Sequence, residues 1–134
     1  MGTGVRNHIF AQINRNKQRV LIDTGATKSC ISEQLFNKIR SSLNKRSPLT
    51  ADEPSHLVTA DKNKPLAIIG TADLNVKING YIIVQKFYVI QDLSHPCILG
   101  MDFLNDNRGL IRVADRVLDL HDGLIVVPLI SRET

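Results

Sequence analysis

Short apolar runs broken by polar turn clusters occupy most of this chain, and that punctuation favours strands over long helices. His8 to Ile13 and Gln18 to Ile22 flank the turn Asn14-Arg15-Asn16-Lys17 and read as a hairpin. His56 to Ala60 and Pro65 to Ile69 flank Asp61-Lys62-Asn63-Lys64 in the same way. Leu74 to Ile78 alternates with period two, Asn79-Gly80 is a strong two-residue hairpin signal, and Tyr81 to Ile90 returns as a long strand. Ile98-Leu99 reads as a buried strand end. Leu110 to Val113, Val117 to Leu120 and Leu124 to Leu129 form a meander.

Helices are few. Ser32 is placed to cap one that runs to about Lys38, with Glu33 in its first turn and Leu35, Phe36 and Ile39 on one side. Asp102 is placed to cap another from Phe103 to Asn107, with Gly109 as its stop. The segment from Arg40 to Pro54 is polar, carries two prolines and reads as a loop. The expectation is an all-β domain with one or two short helices. At 134 residues there is room for one core, placed over residues 8–130, with 1–7 as an N-terminal extension and 131–134 as a tail.

Several function classes fall away. The longest apolar run, Gly123 to Ile130, is far below the roughly 18 residues that span a bilayer, so no membrane helix is expected. Cys30 and Cys97 permit at most one disulfide and form no Cys-x-x-Cys pair, and the four histidines show no ligand spacing. The reading therefore expects no metal and a reducing, cytoplasmic setting, with no apolar leader behind Met1. Residues 1–50 carry nine basic groups against two acids. Those cations are scattered and no stacking aromatic is interleaved with them in sequence, which disfavours nucleic acid as a partner.

One segment carries chemistry. In Val20-Leu21-Ile22-Asp23-Thr24-Gly25-Ala26-Thr27 an acid ends an apolar strand and a glycine follows two residues later. A carboxylate there is partly desolvated, Thr24 sets a hydroxyl beside it, and Gly25 lets the backbone turn tightly. A turn is the plain alternative. A second segment weighs against that alternative: Pro96-Cys97-Ile98-Leu99-Gly100-Met101-Asp102-Phe103-Leu104 is an apolar strand that runs into glycine and a helix.

Acid strand, polar-tipped hairpin, apolar pair with glycine, then helix: in this order the chain resembles the retropepsin family of aspartic proteases, and the protease domains of gypsy-type retrotransposons in particular. The resemblance spans roughly residues 8–128. It implies a closed, barrel-like β fold with one lobe per chain, and a pair of carboxylates that share one proton because like charges about 3 Å apart cannot both ionise. Only one Asp-Thr-Gly is present, so the active species would be a homodimer with Asp23 of each copy at the two-fold axis. One Asp23 would activate water against the scissile carbonyl and the other would protonate, giving a bell-shaped pH profile.

The same resemblance implies further roles. Thr24 would bond across the axis and Gly25 would offer its backbone to substrate. No cofactor is implied. An extended polypeptide would bind beneath a flap hairpin at about 57–69, with pocket walls from Leu21, Ala26, Thr27, Lys28, Cys30, Thr59, Ala60, Pro96 and Ile98. The tip of that hairpin has no glycine, and Thr27 and Met101 stand where viral members tend to carry Asp and Arg. The implied activity is endopeptidase cleavage of a retroelement polyprotein, or of another target in a domesticated derivative. A catalytically silent dimerisation or peptide-binding module is the alternative. Asp102, two residues after Gly100, reads as a helix cap and not as a second catalytic acid.

Overall fold

The computed structural model describes residues 7–41 and 67–131. Strands β1 (Asn7–Ile13) and β2 (Asn16–Ile22) form the first hairpin. Its turn is only Asn14-Arg15, both with positive φ (46° and 76°), tighter than the four-residue turn expected. Two left-handed residues match the right-handed twist of the strands, and Asn tolerates that conformation. Asn14 also clamps the tip: its N–H donates to the Asn75 carbonyl at 2.9 Å and its Oδ1 accepts the Asn75 N–H at 2.7 Å.

Next come β3 (Cys30–Ser32) and helix α1 (Glu33–Ser41). Ser32 Oγ accepts the Leu35 N–H at 3.1 Å, so the expected cap is present, and the helix buries Leu35, Phe36 and Ile39. After β4 (Ala67–Ile78) the chain turns at Asn79-Gly80, with φ of 50° and 85°, into β5 (Tyr81–Gln91). Then follow β6 (Cys97–Leu99), helix α2 (Met101–Asp106), β7 (Leu110–Arg112), β8 (Val117–Leu120), β9 (Ile125–Pro128) and β10 (Ile130–Ser131).

Six strands close on themselves in the order β1-β2-β6-β3-β5-β4, and β4 returns to β1 through Gln12↔Lys77 and Ile13↔Val76. The remaining edge of β1 takes β10 through Asn7↔Ser131 and His8↔Ile130. Those two terminal residues, expected in the extension and the tail, are thus paired in the sheet. The β2–β6 and β3–β5 pairings are parallel and the other barrel pairings are antiparallel. Ile9, Ile13, Phe36, Leu74, Phe87, Leu99 and Phe103 fill the interior. Apart from three phenylalanines this core is aliphatic, as the low aromatic content requires. No helix among the described residues is long and apolar enough to cross a membrane.

The meander is a separate sheet, β7-β8-β9. Its Leu118, Leu120, Ile125 and Val127 join the main core while Leu124 and Val126 face outward, so it covers the barrel.

Two expectations are corrected, and one strand had not been expected. Pro65 to Ile69 and Leu74 to Ile78 were expected as separate strands, yet Ala67 to Ile78 is continuous, because an irregularity between Ile68 and Gly70 bends the strand without ending it. The short strand β3 had no sequence signal, since three residues are too few for a period. Asp102 does not cap α2: the capping position is Gly100, and Asp102 lies inside the first turn with its carboxylate turned to other partners. The helix ends at Asp106 with Asn107 as its C-cap, the left-handed residue is Arg108 (φ 52°), and the expected stop, Gly109, follows it and donates its N–H to the Leu104 carbonyl at 2.7 Å, where a Cβ would crowd Leu104. The flap hairpin, apart from Ala67 to Ile69, and most of the loop from Arg40 to Pro54 lie outside the described residues.

Candidate active site

The loop after β2 is held on one side by the segment after β6. Parallel pairing of Leu21 with Ile98 and Ile22 with Leu99 brings the two strand ends together. The Asp23 N–H then donates to the Leu99 carbonyl at 3.0 Å, the Met101 N–H to the Ala26 carbonyl at 2.8 Å and the Asp102 N–H to the Thr27 carbonyl at 3.3 Å. Within the loop, the Ala26 N–H donates to the Asp23 carbonyl at 3.1 Å and the Gly25 N–H to Asp23 Oδ1 at 2.9 Å. An Asp side chain that accepts its own backbone two residues on is a tight local turn. The carboxylate is thereby aimed by the backbone of its own motif.

Its second oxygen is the telling atom. Asp23 Oδ2 is buried and has no hydrogen-bond partner among the described residues. A buried carboxylate oxygen without a donor is costly, and it is found where a ligand, water or partner group belongs. Thr24 and Gly25 beside it are exposed.

Under the loop lies a polar cluster. Ser29, fully buried, donates its hydroxyl to Asp102 Oδ1 at 2.7 Å and its N–H to Asp102 Oδ2 at 3.0 Å, and its Oγ accepts the Gly100 N–H at 3.0 Å. Gln85 Nε2 donates to Asp102 Oδ2 at 3.2 Å, and the Phe103 N–H to Oδ1 at 2.8 Å. Four donors thus satisfy a carboxylate that has no ion-pair partner among the described residues, and they tie β5, β6, α2 and the Asp-Thr-Gly loop together. Sequence reasoning missed Ser29 and Gln85. Gln85 did leave a signal: it is a polar residue at an inward position of β5, between Ile83 and Phe87.

Gly100 completes the fit. A Cβ there would stand 2.7 Å from the Ala26 carbonyl oxygen and 2.8 Å from that of Lys28, both backbone atoms of the loop. Gly100→Ala is expected to lower unfolding stability by about 2 kcal/mol in urea titration, since overpacking against backbone cannot be relieved by a rotamer change.

The residues expected as pocket walls fall into two groups. Leu21, Ala26, Cys30 and Ile98 meet in one small buried cluster with Ile90, directly below the loop. Thr27, Lys28 and Pro96 are exposed at its rim. Thr59 and Ala60 lie outside the described residues. The Cys30 thiol is pushed up to about 12 by burial and then by the Asp102 and Asp23 carboxylates, and burial likewise raises Cys97. Both stay neutral near pH 8 and are poor nucleophiles. A thiol reagent at pH 8 is expected to modify neither in the folded protein and both after denaturation.

The comparisons with known proteins agree with this geometry. Residues 9–106 match the model of a family described as gag-polyprotein putative aspartyl protease. The chain has no match among curated protein sequences. Among solved structures it is similar to the retroviral protease-like domain of Ddi1 from Leishmania major, with a TM-score of 0.75 and 20% identity over 96% of each chain. It is similar to EIAV protease complexed with the inhibitor HBY-793, with a TM-score of 0.57 and 23% identity over 75% of this chain and 86% of that one. A retropepsin-like aspartic protease from Rickettsia conorii gives 0.54 and 18% over 93% and 84%. These likenesses show a retropepsin-like fold.

Proposed function

Because the chain belongs to the gag-polyprotein aspartyl protease family, we propose that it is an aspartic endopeptidase that acts as a homodimer on extended polypeptides. The observation that carries this reading is Oδ2 of Asp23, buried and without a hydrogen-bond partner among the described residues, while Oδ1 is held by the Gly25 N–H. A second Asp23 across a two-fold axis, with one proton and one water between the pair, supplies the missing partners. One chain has a single such acid, so the chemistry needs two copies.

In the proposed cycle the ionised Asp23 takes a proton from the water as it attacks the scissile carbonyl. The protonated Asp23 of the partner subunit donates to the carbonyl oxygen, and the resulting intermediate collapses as the amine leaves with a proton from the dyad. Thr24 bonds across the axis and braces the loop, while the backbone of Gly25 meets the substrate chain. Thr27, Lys28 and Pro96 contact side chains of the peptide, and the cluster of Leu21, Ala26, Cys30 and Ile98 supports the floor, with Thr59 and Ala60 on the flap side. The substrate is a retroelement polyprotein of the gypsy type, or the target of a domesticated derivative.

The test is cleavage of a mixed peptide library with and without a pepstatin-type inhibitor, which mimics the tetrahedral intermediate. Turnover that the inhibitor stops is the expected result. A folded dimer that cleaves nothing and does not bind the inhibitor would overturn the proposal and leave a silent binding module.

A further inference from the structure

The barrel carries a second surface unrelated to the carboxylate. Phe10 is half exposed, at 49%, on the outer face of β1. In sequence it has no basic neighbour, but cross-strand register gives it two: Arg19 is its direct partner on β2, and Lys17 lies two residues further along that strand, opposite Gln12. The Lys17 Nζ stands 5.5 Å and the Arg19 Cζ 5.9 Å from the Phe10 ring centroid. On the other side of β1, Lys77 of β4 is also opposite Gln12. Phe10, Gln12, Lys17, Lys77 and Asn79 line a shallow open groove.

None of Lys17, Arg19 and Lys77 has an ion-pair partner among the described residues. Arg19 Nε is buried and has no hydrogen-bond acceptor among the described residues. The hairpin 7–22 holds three cations, with Arg15, and no acid. The next acid along this face of β4, Asp73, is four residues from Lys77, about 13 Å at strand rise, and opposite Lys86.

We propose that this face binds single-stranded nucleic acid. A half-exposed aromatic ring offers a base a stacking face once the Lys17 and Arg19 side chains that lie over it turn to the flanking phosphates, and with Lys77 those cations make the groove positive. Lys17 and Arg19 are two residues apart on one strand, about 7 Å, so they meet successive positions along a backbone, and Lys77 closes the other wall. The Gln12 amide in the groove offers both a donor and an acceptor to a base edge. An acidic peptide would satisfy the charges but has no use for the ring.

Fluorescence anisotropy of a labelled twelve-nucleotide oligo(dT) titrated with the full chain tests this, from low to moderate salt. The parent is expected to bind with log K falling against log salt at a slope near −2, about −0.7 for each of three cations. Phe10→Ala is expected to weaken binding at least about fivefold, the lower limit for a lost base stack, and Lys17→Glu/Arg19→Glu to weaken it further and flatten the slope. Phe10 and Lys17 are exposed and Arg19 is partly so, and the melting temperature of each variant is measured alongside to show that it folds. No binding at low salt would overturn the proposal. So would an unchanged affinity in Phe10→Ala, which means charge attraction alone. Displacement of the oligonucleotide by polyglutamate at equal charge concentration would overturn it in favour of an acidic protein partner.

Discussion

Asp23→Asn is expected to reduce peptide cleavage by about 10²- to 10⁴-fold, the usual worth of positioned acid–base groups, while leaving the fold intact. The amide keeps an oxygen that can accept the Gly25 N–H, now 2.9 Å from Oδ1, so the turn has its bond. What it cannot do is take a proton from water. In a homodimer the substitution also strikes twice, since each subunit contributes its only Asp23 to one site. Circular dichroism should therefore be unchanged while library turnover disappears. Activity within a few-fold of the parent would show that the unpartnered Oδ2 belongs to no catalytic pair.

Asp102→Ala is expected to have the largest effect on stability, a loss of about 3 kcal/mol in urea titration at matched protein concentration. It strands the Ser29 hydroxyl and the Ser29 N–H, which the carboxylate accepts at 2.7 and 3.0 Å, and takes from the Gln85 amide one of its two acceptors, at 3.2 Å, leaving it the Lys86 carbonyl at 2.8 Å. Ser29 and Gln85 are buried, so water replaces those bonds poorly, and each unsatisfied donor costs about 1–3 kcal/mol. Partial exposure of Asp102 itself keeps the total at the low end. Asp102→Asn retains the shape and an acceptor and is expected to lose about half as much. Equal stability of Asp102→Ala and the parent would show that the cluster merely fills space. Because Ser29 also accepts the Gly100 N–H and so braces the Asp-Thr-Gly loop, turnover under the proposed function should fall in parallel with stability.

The β4–β5 hairpin and the cap of α1 were legible because their signals are local. Asn79-Gly80 needs only two residues to enforce its turn, and Ser32 needs only the helix that it caps. The Asp-Thr-Gly loop was legible because an acid at the end of Val20-Leu21-Ile22 is an outlier against its apolar run. What stayed hidden depends on pairings between distant segments. Ser29 meets Asp102 across 73 residues of sequence, and nothing near either one announces the other. Asp102 carried a plausible local role as a helix cap, and the tertiary partner took its carboxylate instead. Phe10 reads as one more apolar residue of a hairpin until the register sets Arg19 opposite it. The inward polar position at Gln85 was the one nonlocal feature with a visible trace, a break in alternation that a closer count of periods would have marked.

Whether two copies of Asp23 form one site is decided by sedimentation velocity across concentration, with library turnover measured on the same samples. The account predicts a species of twice the chain mass whose population rises with concentration, and turnover per chain that rises in step with it. Turnover by a chain that sediments as a monomer, with the same specific activity at every dilution, would contradict it.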